Sequence, residues 1–206
     1  MKAMDSKNIA RKISPERPLH LQECIEKWGM DVAPGPNITA PSLRISLRKW
    51  HESDAPALFA LAKDPAVGKA TGFPPHANAE ESLRVIRGIL SKPEHYAVVA
   101  AEDGGLLGCI ALYPPRKGEN VFDSQEVVLG YWLGRPFWGQ GLMAEAIGLL
   151  CARAFGSGRF QCTKIVAQTS ETNARSRRLL EKSGCRRAAL ENGDCRYERP
   201  RKTPAP

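Results

Sequence analysis

Apolar and polar residues alternate from Leu43 to Arg48, and this period of two predicts a half-buried β-strand. Further apolar runs bounded by turn residues predict strands at Tyr96–Ala101, Leu106–Leu112, Glu126–Leu133 and Lys164–Gln168. The segment Asp103-Gly104-Gly105 predicts a hairpin between the first two of these runs, because such residues favour tight turns.

Apolar residues at helical spacing predict four helices among these strands. They are expected from Ser53-Asp54 to before Asp64-Pro65, from Asn78 to about Leu90, over Gly139–Phe155 and over Asn173–Ser183. Asn173 is a suitable N-cap for the last helix, and Gly184 is a suitable end for it. A short hairpin around Asn192-Gly193 would close a single α/β domain with a mixed sheet.

The two ends of the chain differ from its middle. Residues 1–40 mix charges with prolines, which predicts an N-terminal extension with one short helix around Leu19–Trp28 and a linker. Residues 199–206 read as a disordered tail, so the domain is expected over residues 41–198. No apolar run approaches the ~20 residues of a membrane helix, and the start lacks a secretory signal. We therefore expect a cytoplasmic protein with no membrane partner.

The composition limits which metals, cofactors and binding partners are expected. The six cysteines and four histidines are scattered without metal-ligand spacing, so neither a metal nor a disulfide framework is expected. The formal net charge of +8 favours an anionic partner. Nucleic acid, a phosphorylated cofactor and an acidic protein all fit that charge, and so does a solvated basic face. The basic residues cluster late in the chain, including Arg175, Arg177, Arg178, Lys182, Arg186 and Arg187.

The most informative segment is a strand, then the turn Gly139-Gln140-Gly141, then a helix. The first amides of a helix lack an intrahelical partner, and the helix dipole favours an anion there. Glycines at 139 and 141 remove the Cβ atoms that would keep a pyrophosphate from the backbone, and they permit unusual dihedral angles. The pattern therefore predicts a phosphate-binding turn; a plain tight turn before a helix is the alternative.

Three phosphate motifs compete for this turn. A nucleoside triphosphate loop would end in Gly-Lys-Ser/Thr, and Leu142 after Gly141 excludes it. The dinucleotide motif G-x-G-x-x-G/A is satisfied by Gly139, Gly141 and Ala144. However, the segment Gly134–Trp138 separates the strand from the first glycine, and only about sixty residues follow, too few for a second βαβ half.

The third motif is an acyl-CoA loop, and here the sequence resembles the GCN5-related N-acetyltransferases (GNAT). The similar blocks are the opening strand and helix (43–54), Gly-Tyr-Trp-Leu at 130–133 with Trp-Gly-Gln-Gly at 138–141, and the Asn-x-x-Ser helix that begins at Asn173. The resemblance is to the branch of the ribosomal-protein N-terminal acetyltransferases and spans roughly Leu43 to Cys185. Pro136 stands at the usual Gln/Arg position of the loop, so one side-chain contact is missing.

The resemblance implies a mixed, mostly antiparallel sheet flanked by helices and splayed at the central strands, where acetyl-CoA binds. The residues expected at this cofactor are Tyr131, Trp132, Leu133, Trp138, Gly139, Gln140, Gly141, Leu142, Met143, Ala144, Asn173, Ser176, Arg177 and Lys182. Phe73 and His76, in the loop between the first two helices, are expected to border the acceptor pocket. A proline-stiffened connection is the plainer interpretation of that loop.

Two residues are candidates for the chemistry. Glu126 is a carboxylate within an otherwise apolar strand, which suits a general base, although a surface charge at the strand edge is the alternative. Many relatives carry a tyrosine acid in the last helix, where this chain has Leu180. The resemblance therefore points to Ser176 as the donor to the leaving thiolate; a cofactor contact or a helix cap is its alternative role.

These observations predict an N-acetyltransferase that moves the acetyl group of acetyl-CoA to a primary amine by direct attack in a ternary complex. The acceptor is a protein or peptide N-terminus or a small-molecule amine, and the protein is expected as a monomer or homodimer. The alternatives are a non-catalytic CoA-binding or sensory module and a dinucleotide-binding protein. Nucleic-acid binding is disfavoured because no aromatic residues interleave the C-terminal arginines.

Overall fold

One seven-stranded sheet organises the chain. The structure is a computed structural model that describes residues 43–116, 118–156 and 159–201. The strands are β1 (Ile45–Arg48), β2 (His95–Ala100), β3 (Leu106–Tyr113), β4 (Glu126–Leu133), β5 (Lys164–Ser170), β6 (Arg186–Glu191) and β7 (Asp194–Pro200). Their order across the sheet is β1-β2-β3-β4-β5-β7-β6. Among the described strands only β4 and β5 pair in parallel, which confirms the predicted mixed, mostly antiparallel sheet.

In the part of the chain that the structure describes, five α-helices flank the sheet. They are α1 (Ala55–Ala62), α2 (Pro65–Thr71), α3 (Ala79–Val85), α4 (Leu142–Gly156) and α5 (Ala174–Lys182). A π-helical turn, Ile86–Leu90, continues α3, and 3-10 turns cover Glu52–Asp54 and Arg135–Phe137. None of the described helices is long and apolar enough to cross a bilayer.

The apolar pattern explains how these elements pack. Every residue of β2, and all of β3 but its last, are buried, because helices cover this part of the sheet. On α4, the residues at helical spacing Leu142, Ala146, Leu149 and Leu150 are at most 2% exposed, as the sequence predicted. The described cysteines (Cys109, Cys151, Cys162, Cys185 and Cys195) are buried and unpaired.

A wedge opens in the middle of the sheet. β4 and β5 pair only at Glu126↔Lys164, Val127↔Ile165 and Val128↔Val166. Beyond these pairs, β4 continues to Leu133 along β3, while β5 continues to Ser170 along β7. We call the space between residues 129–133 of β4 and residues 167–170 of β5 the wedge. It is the splay that the resemblance implied.

The structure departs from the sequence prediction in three places. Helix α2 was not expected; Asp64 caps it by accepting from the Ala66 N–H, and Pro65 occupies its first position. Helix α4 begins at Leu142, because the glycines before it form a turn. The closing strands β6 and β7 are longer than the short hairpin that was predicted.

The predicted N-terminal extension and C-terminal tail lie mostly outside the described residues. Arg199 and Pro200, which we expected in the disordered tail, lie in β7 and pair with β5. The predicted extension over residues 1–40, its helix around Leu19–Trp28 and the last five residues of the tail lie outside the described residues. The division of the chain into extension, domain and tail stays a prediction.

Candidate active site

Hydrogen bonds fix the glycine turn Gly139-Gln140-Gly141 relative to β4 and to β1. On the β4 side, the indole Nε1–H of Trp138, the residue before the turn, donates to the carbonyl of Leu133 at the end of β4, at 2.7 Å. Gly139 and Gly141 have φ values of +79° and +80°, in the left-handed region that only glycine adopts at little cost. A Cβ at Gly139 would meet nothing within 4 Å, so the backbone of the turn is open on that side. Gln140 turns back and donates from Nε2 to the Pro136 carbonyl.

Arg44 braces the same turn from β1. Its side chain donates to Oε1 of Glu145, and its backbone N–H donates to Oε2. Its Nη2 also donates to the Gln140 carbonyl at 2.9 Å. Glu145 is a buried carboxylate in the first turn of α4. The ion pair therefore fixes the turn relative to both the helix and the sheet.

The start of α4 offers free backbone donors. The N–H groups of Ala144 and Glu145 both donate to the Gly141 carbonyl. Those of Leu142 and Met143 have no backbone acceptor within the described chain. The side chains of Leu142 and Met143 are buried in the core. Any contact of these two residues with an anion therefore runs through their amides, where the helix dipole also favours negative charge.

Two amides of β4 face the wedge. The Gly134 N–H donates to the Leu107 carbonyl on β3, and N–H groups along a strand point alternately to its two sides. The N–H groups of Tyr131 and Leu133 therefore point away from β3, toward β5. Both lie beyond the last residue at which β4 and β5 pair. Fixed amides in this position are preorganised donors for a carbonyl oxygen.

Helix α5 borders the wedge with Asn173 and Ser176. Asn173 is the predicted N-cap: its Oδ1 accepts the Ser176 N–H at 3.1 Å. The Ser176 hydroxyl lies 2.8 Å from the Tyr131 hydroxyl, so the two predicted site residues meet across the wedge. Burial raises the pKa of Tyr131 to about 12 and keeps its phenol protonated at neutral pH.

The basic residues of α5 lie at different distances from the glycine turn. Arg175 stacks on Trp138, with its Cζ 4.3 Å from the ring centre, which brings its charge to the glycine turn. Lys182 lies in the last turn of α5, roughly 10 Å along the axis from Arg175. Arg177 points its Nε into a buried position without a hydrogen-bond partner in the described structure. Arg175 was not among the residues predicted at the cofactor, although its place two residues after the N-cap Asn173 was a usable signal; the roles of Arg177 and Lys182 stay predictions.

Glu126 lies in a network of ion pairs where β4 and β5 are still paired. Its Oε2 accepts from Arg196 at 2.8 Å and lies 3.2 Å from Lys164 Nζ. Burial alone would raise the pKa of Glu126, but the hydrogen bonds from Arg196 and Lys164 outweigh it and lower that pKa. The carboxylate lies roughly 20 Å along the strand from Leu133. The general-base role of Glu126 stays a prediction.

The predicted acceptor residues gather on the other face of β4. Phe73 lies edge-on to Trp132, with ring centres 5.6 Å apart, and 5.7 Å from the His76 ring. Because side chains alternate along a strand, Trp132 and Tyr131 point to opposite faces of the sheet. His76 Nδ1 lies 2.8 Å from the Ser82 hydroxyl. Burial lowers the pKa of His76, so its imidazole is neutral at pH 7.

Comparison with known proteins shows which proteins the chain is similar to in sequence. The sequence matches the family model for the acetyltransferase (GNAT) domain over residues 44–186. It is 31% identical over 90 residues to the probable N-acetyltransferase YjcK of Bacillus subtilis; the match covers 44% of this chain and 46% of that protein. The chain thus spans about half the length of this curated relative.

Solved structures share the fold. The aminoglycoside acetyltransferase AAC(6')-Ib, solved in complex with coenzyme A, gives a TM-score of 0.61 at 19% identity, covering 76% of this chain and 95% of that chain. A Vibrio cholerae protein proposed to be a ribosomal-protein-serine acetyltransferase gives a TM-score of 0.64 at 19% identity, covering 81% of this chain and 98% of its own. At such identities the likeness establishes the fold alone.

Proposed function

The chain belongs to the acetyltransferase (GNAT) domain family, and from this premise we propose that it moves the acetyl group of acetyl-CoA to a primary amine. Attack is direct, within a ternary complex of the protein, acetyl-CoA and the amine. The observation that carries the proposal is the open glycine turn before α4, braced by Arg44 and continuous with the wedge in the sheet. The acceptor and the catalytic residues are part of the proposal.

The described residues fit acetyl-CoA. The pyrophosphate is an anion, and the amides of Leu142 and Met143 at the start of a 15-residue helix are free to donate to it. Arg175, stacked on Trp138, adds a cation beside the turn. The open side of Gly139 lets a phosphate approach the backbone. When bound, acetyl-CoA supplies the activated acetyl group as its thioester.

The wedge suits the pantetheine arm and the thioester of acetyl-CoA. An uncharged pantetheine arm needs a channel with backbone hydrogen-bonding groups, and the unpaired edges of β4 and β5 provide them. The amides of Tyr131 and Leu133 point into this space and would polarise the thioester carbonyl. Asn173 and Ser176 border it from α5.

The acceptor is proposed to lie against Phe73, His76 and Trp132. This cluster is on the face of β4 opposite Tyr131, so the amine approaches from the side away from α5. Peptide N-termini and small-molecule amines both fit an aromatic face of this kind. The resemblance to the ribosomal-protein branch favours a peptide N-terminus.

Glu126 is proposed as the base and Ser176 as the donor to the leaving sulfur. Because Glu126 lies roughly 20 Å along the strand from Leu133, a proton from the amine would have to reach it along a chain of several water molecules. A neutral amine is required for attack, so a base is useful without being essential. The cytoplasmic location and a monomeric or homodimeric state remain expectations of the same proposal.

Thiol release with a panel of amines tests the proposal. The panel contains aliphatic amines, an aminoglycoside, and peptides with free or acetylated N-termini, each mixed with acetyl-CoA and the full chain. We expect release with at least one free amine and none with the acetylated peptides. Binding of acetyl-CoA without release from any amine would instead favour a CoA-binding or sensory module.

A further inference from the structure

Two hydroxyl groups meet across the wedge. Tyr131 comes from β4 and Ser176 from the first turn of α5, and their oxygens lie 2.8 Å apart. The two residues are 45 positions apart in sequence and belong to elements on either side of the opening. Among the described residues, neither hydroxyl makes another hydrogen bond, so each fixes the other.

The backbone of Ser176 is already fixed. Its N–H donates to Asn173 Oδ1, which sets the position of the first turn of α5. A serine hydroxyl carries a single hydrogen and two lone pairs, so its direction as a donor depends on which neighbour it accepts from. The backbone places the Ser176 oxygen at the wedge, and the Tyr131 hydroxyl decides where its hydrogen points.

The direction of the hydrogen bond follows from acidity. A phenol is a stronger acid than an aliphatic hydroxyl, so the favoured arrangement has Tyr131 donating and Ser176 accepting. Because burial raises the pKa of Tyr131 to about 12, the phenol keeps its proton and remains a donor over the working pH range. The hydrogen of Ser176 is then left to donate elsewhere in the wedge.

We propose that Tyr131 is a positioning residue that orients the Ser176 hydroxyl as a hydrogen-bond donor to the leaving sulfur. The inference rests on the proposed function. In the reaction, the amine lone pair forms the C–N bond and the C–S bond breaks with its electron pair on sulfur. The nitrogen loses one proton, which passes through water to Glu126 and then to solvent, and the sulfur takes one from solvent, so the reaction is balanced. Ser176 stabilises the charge that develops on sulfur, and Tyr131 holds Ser176 in that orientation.

Steady-state kinetics of Y131F, S176A and the double variant test this role. We expect S176A to lower kcat on the order of 100-fold and Y131F on the order of 10-fold, with KM for acetyl-CoA changed less than about twofold. Because Tyr131 acts through Ser176, the double variant should match S176A. Independent, multiplying losses in the double variant would overturn the inference.

Y113F is the matched control. Tyr113 lies on β3 with its ring over Gly130 of β4, and it does not contact Ser176. Removing its hydroxyl is the same chemical change on the opposite face of β4, where Trp132 also lies, so any effect on the amine should appear in the KM for the amine, and kcat at saturating amine should stay at the wild-type value. A loss in Y113F equal to that in Y131F would overturn the specific role of Tyr131.

A second readout needs no turnover. In protein isotope-labelled at tyrosine Cζ, the nuclear magnetic resonance signal that disappears in Y131F belongs to Tyr131. We expect this signal to shift in S176A and to stay in place in S183A, which removes a serine hydroxyl at the other end of α5. An unmoved signal in S176A would overturn the hydrogen bond itself.

The outcomes separate the two proposals. If no amine is acetylated, the proposed function fails and this inference fails with it. If acetylation proceeds and Y131F keeps the wild-type kcat, the proposed function stands and only the role of Tyr131 is overturned.

Discussion

Arg44 and Glu145 join the first strand to the helix that follows the glycine turn. The guanidinium of Arg44 donates to Glu145 Oε1, and the same side chain reaches the Gln140 carbonyl within the turn. The two side chains are 23% and 9% exposed, so water screens the pair only in part. The shape of the turn therefore depends on a residue about one hundred positions earlier in the sequence.

R44M should weaken acetyl-CoA binding, because the turn loses the donor that holds the Gln140 carbonyl. The matched control is R48M, at the other end of β1. Arg48 also donates twice to a carboxylate, from Nη1 and Nη2 to the two oxygens of Asp54, and these side chains are 22% and 11% exposed. Both variants should lose about 2 kcal/mol of unfolding free energy. Calorimetric titration with acetyl-CoA should show weaker binding in R44M alone; equal affinities would contradict the bracing role.

The positive φ value of Gly139 allows a second comparison between a variant in the turn and a matched control variant elsewhere. Gly139 and Gly193 have φ values of +79° and +83°, and an added Cβ would meet nothing within 4 Å at either site. G139A and G193A should therefore each cost roughly 1–2 kcal/mol of unfolding free energy. Only G139A places a methyl group where the pyrophosphate is proposed to lie. We expect at least about 10-fold weaker acetyl-CoA binding for G139A, and wild-type binding for G193A in the same titration.

The Glu126 carboxylate provides a test of the base assignment. If Glu126 is the base, E126Q should lower kcat about 100-fold. Its pKa is lowered by Arg196 and Lys164, so in wild type it is ionised throughout the neutral range. R196Q removes one of these cations, raises the pKa, and should move the acid limb of the kcat/KM profile to higher pH. An unchanged kcat in E126Q would contradict the base role and leave Glu126 a structural role, through its ion pairs with Lys164 on β5 and Arg196 on β7.

The buried pair of Glu94 and Arg153 predicts a pH-dependent stability. Burial alone would raise the pKa of Glu94, but hydrogen bonds from Arg153 and Tyr96 lower it. A lowered folded-state pKa contributes stability above the unfolded value of about 4.3, and that contribution is lost as the pH falls below it. R153M should cost about 3–5 kcal/mol at pH 7, because it leaves a buried carboxylate without its cation.

Denaturant unfolding at several pH values measures this effect. The gap in stability between wild type and R153M should shrink as the pH falls below about 4.3 and through the lowered folded-state pKa of Glu94, below which the carboxyl is protonated in both proteins. R87M is the control, because its pair with Glu52 is exposed and should contribute little. A gap that stays constant with pH would show that Arg153 acts through packing rather than charge.

Strong local signals made much of the fold predictable. The bounds of β4 were predicted as Glu126–Leu133, because an apolar run enclosed by polar and glycine-containing segments has few alternative readings. Asn173 was recognised as a helix cap because a short polar side chain followed by a helical pattern has a direct physical meaning. The glycine turn was found for the same reason.

Features that depend on tertiary contacts were not predictable. Helix α2 is seven residues long and has no apolar periodicity, and the Asp64-Pro65 pair that starts it was interpreted as the end of α1. Strand β6 is mostly exposed at the edge of the sheet, so no buried face marks it. The partners of Glu126 and of Tyr131 lie on other elements, and the sequence alone does not show which side chains meet.

The turn at Gly139-Gln140-Gly141 is proposed to bind acetyl-CoA rather than a dinucleotide. Calorimetric titration of the full chain with acetyl-CoA, and separately with NADH, distinguishes the two ligands. We expect one molecule of acetyl-CoA bound per chain, a raised Tm in its presence, and no binding of NADH. Binding of NADH with no binding of acetyl-CoA would contradict this proposal.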